Sequence, residues 1–305
     1  MLGFAQTVLP GPGDIPISRL TAEATLPVRL APGAVASDDA IWVSDSSAGT
    51  VLRVGAKDNK VSAPVSIGGR PCGSLVAAFT SVWAPSCGNG SVVRIHSADL
   101  KVTAKAEVGV ADADCRIAAG TGSIWVVSDR KGIVTRIDPD NNKPVAEIHV
   151  EGGASAVLFH EDALWVTSGT GRKLTRLNPH NHEIVEVIDV GAQPVRLAAA
   201  DGAVWTLNRG DGSVTRVDPA TNKVVTSITI GKDAAAGEIA AGEGSVWISA
   251  PGVPLLRIDP RTNTVAQRFT GDGGGAVLVA HGSLWVAAGS QTLRLDPKFV
   301  AALRP

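Results

Sequence analysis

The stretch Gly202-Ala203-Val204-Trp205-Thr206, followed by Ser213-Val214-Thr215-Arg216-Val217-Asp218-Pro219, decides how this chain folds. Its second half, and the next run Val224-Val225-Thr226-Ser227-Ile228-Thr229-Ile230, are rich in β-branched residues. Such side chains pack well on a pleated surface, and the period-two alternation of the later run puts one face towards a core. Between the runs lie Asp201-Gly202, Gly210-Asp211-Gly212 and Asp218-Pro219-Ala220-Thr221-Asn222. Gly, Asp and Asn supply the positive φ that tight hairpins require. The segment reads as successive short antiparallel strands.

Outward from there, the same unit recurs. Tryptophans stand at Trp42, Trp83, Trp125, Trp165, Trp205, Trp247 and Trp285, spaced 41, 42, 40, 40, 42 and 38 residues apart. Each is followed by an arginine (Arg53, Arg94, Arg136, Arg176, Arg216, Arg257 and Arg294), at an offset of 11 residues in five repeats, then 10, then 9. A period near 40 marks propeller blades or helical repeats. The density of Gly and β-branched residues leaves no helix of useful length. Seven units of four antiparallel strands predict an all-β, seven-bladed β-propeller. With Gly210-Asp211 at the hairpin centre, Trp205 falls opposite Arg216, so a cross-strand cation–π contact is expected. Asp218 shares that face and is expected to pair with Arg216. Features common to every blade are structural and cannot mark one active site.

The propeller is expected over residues 20–305, with residues 1–19 a leader remnant or linker. Residues 21–28 look like a lone strand, and the last blade lacks a clear fourth one. Lending the N-terminal strand to that blade removes an exposed edge. The terminal segment 299–303 is the rival for that place. Blade one spans about residues 33–67 and blade two about 72–108. Net charge is −1 and no basic run exists, which excludes a polyanion-binding surface and nucleic acid. The apolar runs are too short to span a bilayer. Phe4-Ala5-Gln6 resembles the tail of an export signal. Of the cysteines, Cys72 begins the inner strand of blade two, and Cys87 follows its second strand, near the same face. A Cys72–Cys87 disulfide is geometrically open to formation and would suit an exported protein, periplasmic or secreted; three buried thiols, Cys115 included, are the alternative.

Function should lie where the repeats stop agreeing. Nine residues before each tryptophan stand Gly33, Ser74, Arg116, Ala156, Arg196, Glu238 and Ala276. The next position is apolar in every blade: Ala34, Leu75, Ile117, Val157, Leu197, Ile239 and Val277. The variable ring is therefore expected to face the central channel while its neighbour packs between blades. Arg116, Arg196 and Glu238 break a ring of small residues that includes Ser74. Asp114, Cys115, Asn208 and Arg209 are expected near the same mouth. Charged groups converging there are a candidate site for a small molecule or a protein partner; a salt bridge between Arg196 and Glu238 that merely fills the channel is the other reading. His96, His160, His180, His182 and His281 fall in turns of the opposite face, and His180-Asn181-His182 lacks a visible third metal ligand.

Gly244-Ser245-Val246-Trp247-Ile248 and Val214-Thr215-Arg216-Val217-Asp218-Pro219-Ala220-Thr221-Asn222-Lys223-Val224-Val225 resemble the repeats of bacterial YVTN-type and virginiamycin B lyase-like propellers, from about residue 20 to the end. A monomer is expected. The resemblance implies a lyase acting on a cyclic or ester substrate, using a divalent metal such as Mg with acidic residues and histidines in the channel region. Glu238 would then be the metal ligand or general base, with Arg116 and Arg196 holding an anionic or carbonyl group. A non-catalytic ligand- or protein-binding propeller is the alternative.

Overall fold

Each repeat forms one antiparallel sheet, and seven sheets close into a ring. The computed structural model describes residues 13–110 and 116–305. In blade five the strands are Pro194–Ala200, Ala203–Asn208, Ser213–Asp218 and Lys223–Thr229, from the channel to the rim. The other blades repeat that order. Blade seven has only three strands of its own, Val277–Ala280, Ser283–Ala288 and Gln291–Leu295. Its fourth is Ala24–Leu26, antiparallel, with Ala24 opposite Arg294. The segment 21–28 thus closes the ring as the sequence implied. The rival segment belongs to a short helix, Pro297–Ala302, capped by Asp296.

One strand is unanticipated. Ile15–Pro16, read from the sequence as linker, adds a fifth strand to blade six, parallel to Thr264–Thr270. Ile15 is 0% exposed, and it packs with Phe269, Trp247 and Val300. Gln267 of the same blade donates to the carbonyls of Val300 and Leu303, so both ends of the described chain are seated on this blade.

The core lies between blades. Among the described residues seven apolar clusters form, each shared by two neighbouring blades. Trp42 sits in the cluster joining blades one and two, and Trp285 in the one joining seven and one. All seven indoles are at most 1% exposed. An indole burying roughly 150–250 Å² contributes about 4–6 kcal/mol of transfer energy before entropic costs. That outweighs any polar term at the same position, so the tryptophan period is a burial period first.

The arginine offset then registers the blades. Every Trp stands opposite its Arg across the second and third strands. In blades two to seven the guanidinium lies 4.8–5.9 Å from the ring centroid. In blade one Arg53 turns instead to Asp39, at 2.6 Å.

The expected Arg216–Asp218 pair is replaced by another arrangement. Asp218 accepts from Ala220 N and Thr221 Oγ1 of its own turn, at 2.9 and 2.8 Å. Arg216 Nη1 crosses to blade six, reaching the Pro260 carbonyl at 2.7 Å and Asn263 Oδ1 at 2.9 Å. A short aspartate bonds its own turn more readily than it reaches back along a strand. Arg94 and Arg176 grip the following blade in the same way. Arg294 grips Ala56 and Asn59 of blade one, clasping the ring shut. The gripped Asn59, Asn142, Asn222 and Asn263 all have positive φ, a conformation asparagine tolerates. Blade four carries His182 at that corner, and its ring meets Trp125 edge-on at 5.8 Å.

Candidate functional site

The innermost strands line the channel, and their first residues lie at one mouth. The seven apolar neighbours of the variable ring each fall in an interblade cluster, from Ala34 to Val277. This packing turns the ring itself inwards. Blades one and two approach closely there: a Cβ on Gly33, at φ +75°, would stand 2.5 Å from the Cα of Ser74. Ser74 Oγ in turn accepts the Ile117 amide at 3.2 Å, tying blade two to blade three.

Arg116, Arg196 and Glu238 come together. Glu238 opens the inner strand Glu238–Gly242 of blade six. Its Oε1 accepts from Arg116 Nη2 at 2.5 Å and from Arg196 Nε at 2.7 Å. Arg196 is on the adjacent blade five. Arg116 is on blade three, across the ring, so the triad is a crossbar spanning the channel. The three residues are 7–8% exposed. Burial alone would raise the Glu238 pKa; the charges and hydrogen bonds of Arg116 and Arg196 outweigh it and hold the carboxyl below its usual value. Glu238 is an ionised, doubly bonded acceptor.

The crossbar divides the channel. Inwards lies a cavity of about 300 Å³, walled by the apolar neighbours Leu75, Ile117, Val157 and Leu197. Outwards lies a mouth cavity of about 410 Å³. Its walls are Arg29–Pro32, Ser44, Ser46, Arg70–Gly73, Ala236–Gly237, Pro251 and Gly275, from blades one, two, six and seven. Arg116, Arg196 and Glu238 line both cavities.

The remaining candidates separate. Asn208 is 0% exposed, and its amide donates to Ser213 Oγ and Thr215 Oγ1 at 3.0 and 2.9 Å. It is therefore a buried hairpin bond of blade five and not a mouth residue. Arg209 stands outside the walls of both cavities. Asp114 and Cys115 lie outside the described residues. Cys72 and Cys87 form a disulfide, with Cα atoms 5.9 Å apart. It pins the loop that carries Arg70 into the mouth.

Sequence reasoning missed Arg29 and Arg70. Both stand thirteen residues before a tryptophan, Trp42 and Trp83, so one repeat position supplies both. That shared offset was a readable signal.

A divalent metal does not fit the described residues at Glu238. Hard cations need several oxygen ligands. Here the one mouth carboxylate among the described residues has an oxygen occupied by two guanidiniums, and their positive charges repel a cation. Among the described residues no group of three or more His, Cys, Asp or Glu side chains could hold a metal ion. The turn histidines expected on the opposite face bond there: His180 lies 3.3 Å from Asp162, and His281 reaches the Ala40 carbonyl at 3.3 Å.

Solved structures share this architecture. Virginiamycin B lyase from Staphylococcus aureus superposes with a TM-score of 0.75 at 17% identity, covering 90% of this chain and 98% of that one. This is the fold of the virginiamycin B lyase propellers. A streptogramin B lyase structure gives the same score and identity over 89% of this chain and 94% of that one. BamB from Moraxella catarrhalis gives 0.62 at 11% identity, over 91% and 99%. No protein-family profile and no curated protein sequence matches the chain. At such identities the likeness carries the fold and no activity.

Proposed function

We propose that this protein is a ligand-binding propeller that takes a small molecule at the channel mouth, with Glu238 as a structural crossbar and not a catalytic base. The observation that carries this reading is the mouth cavity of about 410 Å³, floored by a triad whose carboxylate is already bonded twice. A cavity of that size suits a small ligand. A general base needs a pKa near the working pH. Glu238 has its pKa lowered and a guanidinium on either side. The competing reading, a lyase of the virginiamycin B lyase type, draws on the shared fold and on Glu238 as sole mouth acid among the described residues.

The disulfide favours a protein that folds in an oxidising compartment, periplasmic or secreted. No described helix is long and apolar enough to cross a membrane.

Crystals soaked with a library of small fragments test the binding reading. Fragment density is expected in the mouth, against Pro32, Pro71 and Pro251. Density confined to the rim or to clefts between blades, with nothing in the mouth, would overturn it.

A further inference from the structure

The charged residues walling the mouth are four arginines and one glutamate, a net of three positive charges among the described residues. Arg116 and Arg196 share Glu238 in the floor. Arg29 and Arg70 are exposed on the loops above it, and neither has an ion-pair partner among the described residues. The Arg29 guanidinium reaches over the mouth, 3.7 Å from where a Cβ on Gly275 would stand. Arg70 projects from a loop whose backbone is fixed on every side. Cys87 N donates to the Arg70 carbonyl at 3.2 Å, Ser46 Oγ to the Pro71 carbonyl at 2.7 Å, and Cys72 N to the Pro85 carbonyl at 3.0 Å. The Cys72–Cys87 disulfide adds a covalent tie.

Rigid loops of blades one and two thus present two unneutralised guanidiniums over one concavity from one repeat position. Blades three and seven carry Asp112 and Asp272 there; Asp112 lies outside the described residues and Asp272 outside the cavity wall. A concave, low-dielectric wall of one sign focuses field on small counter-ions. Planar guanidinium forks match carboxylate and phosphate oxygens in paired hydrogen bonds.

We infer that the mouth binds its ligand through an oxyanion group, carboxylate or phosphate, seated on Arg29 and Arg70 above the Arg116–Glu238–Arg196 crossbar. This rests on the binding reading given above.

Calorimetric titration of the intact protein tests it with three probes at constant ionic strength: benzoate, its neutral isostere benzamide, and inorganic phosphate. Benzoate or phosphate is expected to bind on the order of ten-fold or more tightly than benzamide, as charged hydrogen bonds imply. The better of the two names the oxyanion. The double substitution Arg29→Gln with Arg70→Gln should weaken that anion by a similar factor. Arg261→Gln, on the rim and paired with Asp259, should leave it unchanged. Both mouth arginines are exposed, so the fold should survive, and an unchanged circular dichroism spectrum checks this. Benzamide binding as tightly as benzoate and phosphate would overturn the anion assignment and leave the ligand-binding mouth standing. Anion affinity unmoved by the double substitution would also overturn it. No binding of any probe, with no fragment in soaked crystals, removes both readings.

Discussion

Replacing Glu238 by Gln should destabilise the protein strongly at neutral pH and much less in acid. Glutamine keeps the shape and one acceptor oxygen but removes the negative charge. Two guanidiniums, each at most 8% exposed, would then lose the counter-charge that Glu238 supplies between them. Breaking a buried ion pair by removing one partner costs about 3–5 kcal/mol. For a chain of 305 residues the unfolding entropy is roughly 0.6 kcal/mol per degree, so the melting temperature should fall by roughly 5–8 °C. The pH dependence follows from the lowered pKa. The carboxyl titrates near 4.5 when unperturbed and lower in the folded protein, so its stabilisation is complete above 4.5 and is lost as pH falls through the folded value. The native protein, and not the Gln variant, should therefore lose up to about 1.4 kcal/mol per pH unit from this group as pH falls below 4.5. Between about pH 4.5 and pH 3 the gap between them should narrow by up to about 2 kcal/mol. Urea unfolding followed by tryptophan fluorescence measures the gap at each pH, and urea does not screen the charges as guanidinium would. A gap below about 1 kcal/mol at pH 7, or one unchanged in acid, would show that the crossbar does not stabilise the channel.

Two further outcomes can be checked. Arg294→Ala removes the clasp on Ala56 and Asn59, the bond to Ser283 and the stack on Trp285, and should cost about 2–4 kcal/mol; Arg53→Ala, which loses an ion pair to the exposed Asp39, should cost at most about 1 kcal/mol, and equal costs by urea unfolding would refute the clasp. A non-reduced digest should yield Cys72 and Cys87 in one linked peptide pair; Cys87→Ser should lower stability by about 3 kcal/mol for a 15-residue loop and weaken mouth binding by loosening Arg70, and loss of stability with unchanged affinity would separate the disulfide from the site.

The fold was legible because the propeller writes one burial rule seven times. Trp205 and its counterparts are interface residues, so their spacing is the blade period itself. The arginine offset was legible as a hairpin register, since a cross-strand neighbour is fixed by counting from the turn. What Arg216 does beyond that register was not legible. Its guanidinium reaches Pro260 and Asn263, more than forty residues on in sequence, and only the angle between blades brings them near. Ile15–Pro16 escaped for a similar reason: a two-residue parallel strand has no alternation to read, and what buries Ile15 is the surface of blade six.

At the mouth, the ring position nine before each tryptophan could be deduced because the following residue is always apolar and must pack between blades. That argument places Arg116, Arg196 and Glu238 together and offers the Arg196–Glu238 bridge, which forms; it does not give Arg116 as the second partner of the same carboxylate. The two guanidiniums converge on a single oxygen because blade three stands across the channel from blade six, a relation that blade count alone implies. Counting blades as well as residues predicts a crossbar wherever opposite blades carry opposite charges at the ring. Asn208 misled for the converse reason. It lies close to the mouth in sequence register, yet Ser213 and Thr215 on the facing strand of its own hairpin draw its amide inwards. Arg29 and Arg70 stand on loops, where no strand period fixes direction. Their significance rests on position thirteen before the tryptophan, and it emerges only once the ring nine before has been recognised as a floor. The site is thus organised in two tiers by one repeat. The inner tier is bonded into structure, and the outer tier carries the two exposed guanidiniums on which the proposed ligand would seat.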